Sequence, residues 1–234
     1  MVAFRHPVVA ISHGPGPLWL ISSGFAGTSN SSLPARALTT TFAKLYPKGE
    51  NPPMRILFVT AHWESDSSGF AIFNAALPEM IYDYYRFPRE AYKDQFEKHN
   101  IKAKLVDRGF DHEVFVPMLL IHPEADIPIV TRSINSRLCN QAHFDLGKTI
   151  APFRDEDTLI FCSGQATHNM RASRQPTNPV MPWDAAFQGW LDNTFTSEST
   201  LSSSERGERV VDWPNAPAAR LAHPTPDHLF LIIR

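Results

Sequence analysis

Short runs of β-branched and aromatic residues alternate along the chain with segments of helical periodicity. The runs that predict buried strands are VVAIS (8–12), ILFVTA (56–61), IPIVTRSI (127–134) and TLIFCS (158–163), with a shorter one at Leu105 and Val106. Apolar residues recur on one helical face in 35–46, 90–99, 112–121 and 183–195. Strands that alternate with helices predict an α/β fold whose central sheet is mainly parallel or mixed and is flanked by helices.

Two segments near the C-terminal end have the composition of loops. The first is the Ser-rich TSESTLSSSERG (196–207), and the second is the Pro- and Ala-containing stretch 213–219. Too little chain follows either segment to fold alone, and no internal repeat is present. We therefore predict a single domain over residues 1–234.

Composition excludes several classes of protein. The chain has 22 Lys and Arg against 24 Asp and Glu, so it lacks the basic excess that nucleic-acid binding requires. The two cysteines are too few for a disulfide framework or a thiolate metal site. The apolar runs are far shorter than the roughly 20 residues of a membrane span. We expect a soluble cytoplasmic protein that contacts neither nucleic acid nor membrane.

Candidate chemistry comes from the histidines at strand ends. His13 follows VVAIS, His62 follows ILFVTA, and His168 lies in the loop after TLIFCS. Ligands of an open α/β sheet collect beyond the carboxyl ends of its strands, and neutral imidazole is a common ligand of Zn, Fe, Cu and Ni. One histidine at a strand end is more often structural, but three of them favour a shared site.

Other histidines are harder to interpret. The loop AHPTPDH (222–228) presents His223 and His228 between prolines, and spacing does not choose between them. His112 follows a Gly turn and opens a helix, where Asp111 either orients its ring or caps the helix. The histidines that we interpret as structural or solvated are His6, His99, His122 and His143.

Seven segments together resemble one known family. They are ISHGPGPLWL (11–20), RILFVTAHWES (55–65), IYDYYRFPREAY (81–92), RGFDHEVFVPMLLIHPEADIPIV (108–130), LIFCSGQATHNMR (159–171), PWDAAFQGWL (182–191) and AHPTPDH (222–228). In this order they resemble the class III extradiol ring-cleaving dioxygenases. The resemblance is to the 4,5-DOPA dioxygenase-like branch, which is related to the catalytic subunit of protocatechuate 4,5-dioxygenase.

The resemblance implies a role for each matched histidine. It implies that His13, His62 and His228 bind the metal, that His168 is the acid/base catalyst, and that His112 lines the substrate pocket. It also implies Fe(II) as the working metal, although Zn(II) can fill the same imidazoles, and a catechol such as DOPA together with O2 as substrates. Three ligands on one face of the ion leave positions for these substrates. The oligomeric state is left open.

The chain departs from that family in three places. From the family pattern we expect that residues 93–107 are a shortened connection, that Tyr82 replaces a histidine, and that the catalytic domain is truncated at Arg234. The truncation predicts an exposed apolar surface near residues 229–233. Two alternatives therefore accompany the dioxygenase hypothesis. One is a degenerate metal-binding relative without dioxygenase activity, and the other is a zinc hydrolase that uses the same histidines with Glu64 or Asp111 as its base.

Overall fold

A mixed sheet forms the centre of the computed structural model, which describes residues 4–15, 19–20, 22, 29–66, 68–73, 103–106, 109–169, 171–172 and 180–229. Its strands are β1 (Val8–Ser12), β2 (Arg55–Glu64), β3 (Phe70–Phe73), β4 (Ala103–Val106), β5 (Ile129–Ile134) and β6 (Thr158–Gly164). The order across the sheet is β1-β6-β2-β5-β3-β4. The neighbouring strands β1, β6, β2 and β5 are mutually parallel. Strand β3 runs antiparallel to β5 and pairs in parallel with β4. This arrangement confirms the predicted α/β fold.

Helices cover both faces of the sheet. They are α1 (Leu33–Thr39), α2 (Thr41–Leu45), α3 (His112–Ile121), α4 (Asn140–Ile150), α5 (Pro182–Phe195), α6 (Ser203–Val211) and α7 (Ala219–Ala222). Alternate residues of β2 enter different cores, since side chains along a strand point to opposite faces. Ile56 and Phe58 pack in the core that holds α1 and α3, whereas Leu57 and Val59 pack in the core that holds α4 to α7.

Most predicted elements are present, with differences at their ends. The predicted strand 56–61 continues to Glu64, and the predicted helix 35–46 is divided at Thr40 into α1 and α2. Strand β3 and helix α4 were not predicted. The interpretation of 196–207 as a loop is wrong over its last residues, because α6 begins at Ser203. A capping box starts this helix, in which the Ser202 hydroxyl accepts from the Glu205 N–H and the Glu205 carboxylate accepts from the Ser202 N–H.

Several predictions concern chain that the structure does not describe. The predicted helix 90–99, Tyr82 and most of the short connection 93–107 lie outside the described residues. In the predicted apolar surface at 229–233, only Leu229 is described. It is 1% exposed and packs within the core, so the prediction is wrong for this residue. No helix in the described part of the chain is long and apolar enough to cross a membrane.

Candidate metal centre

The carboxyl edge of the parallel strands positions the first two histidines. β6 lies between β1 and β2, with Ser12 opposite Gly164 and Thr60 opposite Ser163. His13 follows the last residue of β1. His62 lies within β2 rather than after it, two residues beyond the last pairing with β6. Both side chains therefore project from the same edge of the sheet, as is usual for ligand sites in this fold class.

Three imidazoles converge at this edge. The ring centroid of His13 lies 5.0 Å from that of His62 and 5.2 Å from that of His228, and the centroids of His62 and His228 are 5.3 Å apart. His13 and His228 are buried, whereas the side chain of His62 is 32% exposed. The cluster is thus closed on most sides and open to solvent beside His62.

A buried glutamate lies among the three rings, and the sequence analysis did not single it out. Oε1 of Glu113 is 2.9 Å from Nδ1 of His13, 3.2 Å from Nε2 of His62 and 3.5 Å from Nε2 of His228. Glu113 is the second residue of α3, where its carboxylate is favoured by the positive end of the helix. The Ser163 hydroxyl, at the end of β6, donates to the Glu113 carbonyl at 2.9 Å.

The cluster has the properties of a metal site. Nδ1 of His13, Oε1 of Glu113 and Nε2 of His228 are buried, and none of them has a hydrogen-bond partner within the described chain. Buried polar atoms without partners are costly and call for an explanation. Neighbouring ligand atoms of an ion bound at about 2.0–2.2 Å are roughly 3 Å apart, which matches the distances from Oε1. The ligand atoms of His13, His62, Glu113 and His228 can therefore hold a metal ion.

A carboxylate and two backbone contacts hold His228 and its loop. Nδ1 of His228 and Oδ2 of Asp227 are 2.5 Å apart, which directs Nε2 into the cluster. This arrangement is typical of histidines that bind metals. The His168 N–H donates to the Ala222 carbonyl at 2.9 Å, and the Asn169 amide donates to the Leu221 carbonyl at 2.8 Å. These contacts fasten the loop after β6 to the segment that leads to His228.

The two remaining candidate residues border the cluster. The ring of His168 stacks on that of His228, with centroids 3.6 Å apart and planes at 21°. The ring of His112 is 4.5 Å from that of His62 and 6.1 Å from that of His13. The structure thus brings all five sequence-predicted residues together. Each of the two bordering rings is partly exposed and so reachable from solvent.

Other polar residues near the edge have structural partners. Nε2 of His223 lies 2.8 Å from the Ala166 carbonyl, and its ring packs against Phe187. Asp111 caps α3 by accepting from the Glu113 N–H, which was one of its two predicted roles. The carboxylate of Glu64 accepts a hydrogen bond from the Ser136 hydroxyl. The carboxylate that lies among all three converging imidazoles is therefore Glu113, rather than Glu64 or Asp111.

Burial lowers the pKa of two imidazoles of the site. It lowers the pKa of His62 to about 4, because desolvation outweighs the attraction of Glu113. Burial and the neighbouring His228 likewise lower the pKa of His168. Burial raises the pKa of Glu113, but His13, His62 and the Thr60 hydroxyl outweigh it, so the pKa lies below its ordinary value. An ionised carboxylate beside imidazole nitrogens is a donor set for a divalent cation.

Comparison with known proteins identifies the class. Residues 9–230 match the family model of the catalytic LigB subunit of aromatic ring-opening dioxygenase. A 4,5-DOPA dioxygenase extradiol from Beta vulgaris is 33% identical over 76% of this chain and 70% of its own length. A dioxygenase named tasH from Hapsidospora irregularis is 31% identical over 93% of this chain and 72% of its own length.

One solved structure has a closely similar fold. The crystal structure of uncharacterized protein JW3007 from Escherichia coli K12 matches with a TM-score of 0.75 and 24% identity, and it covers 98% of this chain and 87% of that one. This likeness supports the fold alone. The family model and the relatives confirm that the protein is an extradiol dioxygenase, which is the class that the sequence motifs predicted. The chain belongs to the LigB family of aromatic ring-opening dioxygenases.

Proposed function

We propose that this enzyme opens the ring of a catechol-type substrate with O2, and that it uses Fe(II) held by His13, His62 and His228. The observation that carries the proposal is the convergence of three imidazoles at the carboxyl edge of the sheet, two of which, His13 and His228, have a buried nitrogen without a hydrogen-bond partner in the described chain. The names of the curated relatives support the substrate class, since several are 4,5-DOPA dioxygenases. A cytoplasmic location stays a prediction from the sequence.

Substrate access is assigned to the open side of the cluster. His62 is the exposed member of the three imidazoles, and the ring of His112 lies 4.5 Å from it. A catechol that enters here meets His112 before it reaches the buried His13. We therefore assign His112 to the substrate pocket, where its ring contacts the aromatic substrate or donates to one of its hydroxyls.

His168 is assigned the proton transfers. Its pKa lies below its ordinary value, so the ring is neutral at neutral pH and can take a proton from a catechol hydroxyl. Its position against His228 keeps it beside the cluster, and the backbone bond to Ala222 holds its loop. Bound Fe(II) supplies the coordination of catechol and the activation of O2, while Zn(II) in the same imidazoles is redox-inactive.

Oxygen uptake by the protein reconstituted with Fe(II), measured against a small panel of catechols, tests the proposal. His168→Ala should lower turnover by about 10²–10⁴-fold with the metal retained, whereas His13→Ala should lose both metal and turnover. His122→Gln is the matched control, because its imidazole pairs with Asp126 at the far end of α3.

The other hypotheses predict different results. Tight metal binding without oxygen uptake, for any catechol of the panel, would indicate a degenerate relative. Hydrolysis without oxygen uptake would indicate a zinc hydrolase. Near-normal uptake by the His168→Ala protein would remove the acid/base role of that residue, and loss of the metal from it would make it a ligand instead.

A further inference from the structure

The two carboxylate oxygens of Glu113 have different surroundings. Oε2 accepts from the Thr60 hydroxyl at 2.7 Å and from the His62 N–H at 2.9 Å. Oε1 has no hydrogen-bond partner in the described chain, although it lies within 3.5 Å of ring nitrogens of three different histidines. One oxygen therefore anchors the side chain, and the other is directed at the point where the imidazoles converge.

The charge of Glu113 lacks a permanent counterion. The side chain is fully buried, and its ion-pair partners in the described chain are histidines, with neither Lys nor Arg among them. A buried carboxylate without a cation is strongly disfavoured. A divalent cation bound among the rings would balance this carboxylate and would also engage the partnerless Nδ1 of His13 and Nε2 of His228. The group that balances Glu113 is thus the cation that the histidines themselves bind.

We infer that Glu113 is a fourth protein ligand of the metal, through Oε1, so that the centre consists of three imidazoles and one carboxylate. This inference rests on the proposed metal site of His13, His62 and His228. It also explains why Oε1 lies 2.9 Å from Nδ1 of His13 and at the same time 3.2 Å and 3.5 Å from Nε2 of His62 and of His228. A glutamate that only oriented His13 would have no reason to approach the two other rings.

The fourth ligand changes what the site prefers. A carboxylate adds negative charge and a hard oxygen donor to three imidazoles, which favours divalent ions of intermediate hardness such as Fe(II). The anchors on Oε2 make this ligand rigid, since the Thr60 hydroxyl and the His62 N–H fix its orientation. Glu113 therefore couples β2 to the N-terminus of α3 through these two hydrogen bonds.

Metal titration of the Glu113→Gln protein tests the inference. The amide oxygen can accept from both anchors, which turns the amide NH2 toward the imidazoles and removes a ligand while shape is retained. We expect the Kd for Zn(II), measured in competition with a chelator, to rise at least about 10-fold. The visible absorption of the Co(II)-loaded protein should change as well. Glu64→Gln is the control, because Glu64 is exposed and bonds Ser136.

Stability of the metal-free proteins provides a second readout. Metal-free Glu113→Gln should remain folded, and added Zn(II) should raise its Tm less than it raises that of the native protein. This measurement also verifies that the variant folds. Activity is not required for either readout.

The outcomes separate this inference from the proposed function. If Glu113→Gln keeps both the native Zn(II) affinity and the native Co(II) spectrum, Glu113 is not a ligand, and the three-histidine site stands. If those two properties are kept and turnover alone is lost, the carboxylate is a base rather than a ligand. If the native protein binds no metal, or if His13→Ala binds it normally, the inference and the proposed site both fail.

Discussion

Replacement of Thr60 by Val should destabilise the metal-free protein by removing a hydrogen bond to a buried carboxylate. The side chain of Thr60 is fully buried, and its hydroxyl donates to Oε2 of Glu113 at 2.7 Å. Val has the same shape without the hydroxyl, so the substitution leaves the packing intact. Oε2 would then retain one donor, the His62 N–H.

The expected loss follows from the charge of the acceptor. Hydrogen bonds to charged groups contribute about 1.5–3 kcal/mol, so we expect a loss of roughly 2 kcal/mol in the free energy of unfolding. For a chain of this length, 1 kcal/mol corresponds to about 2–4 °C, which places the fall in Tm at roughly 4–8 °C. Urea denaturation of chelator-treated protein, with an unchanged m-value, gives the free energy directly.

Two further variants make the test specific. Thr60→Ser keeps the hydroxyl and removes one methyl group, so its loss should be smaller than that of Thr60→Val. In the Glu113→Gln background the nearest acceptor is neutral, and the Asp111 carboxylate is farther away, at 3.2 Å. Thr60→Val should then cost about 1 kcal/mol less than in the native background. A Thr60→Val protein within about 0.5 kcal/mol of the native one would refute the argument, as would equal losses for Val and Ser.

Three other predictions concern the scaffold. Burial lowers the pKa of His143 to about 4, and the Asn135 N–H donates to its Nε2. The contribution of the neutral His143 ring to stability is therefore complete above pH 6.5 and should decline as the pH falls from 6.5 to 4. Denaturation at several pH values should show a shallower decline for His143→Gln. Gly14 has a φ of 58°, and a Cβ there would lie 2.2 Å from the Trp19 side chain. Gly14→Ala should therefore lower the Tm and weaken metal binding at the neighbouring His13. An unchanged Tm would contradict this close packing. Ser202→Ala removes the cap of α6 and should lower the free energy of unfolding, measured by urea denaturation, by about 1 kcal/mol. Ser204→Ala, in the first turn of the same helix, should leave that free energy nearly unchanged.

The sequence alone determined the class of fold and the edge of the sheet where chemistry occurs. Runs such as 56–61 and 158–163 are continuous and apolar because both faces of their strands are covered by helices. His13 and His62 were found from sequence because the carboxyl ends of parallel strands share one edge. A local signal that was present but not used is the capping box of Ser202 and Glu205, which marks the start of α6 within a Ser-rich segment.

Tertiary structure decided which groups face one another across that edge. Periodicity marks Glu113 only as an acidic residue in the first turn of a helix, a position that is usually solvated. It is buried because α3 begins against the end of β6, where Ser163 binds its carbonyl and Thr60 binds its carboxylate.

Tertiary contacts also decided which of His223 and His228 faces the cluster. Both lie in one proline-containing loop, and their spacing is compatible with either as a ligand. The Ala166 carbonyl engages the ring of His223, while Asp227 directs that of His228 into the cluster. Ala166 is distant from His223 in sequence, and the contact of Asp227 with His228 depends on the directions of the two side chains. A local pattern of residues specifies neither of these.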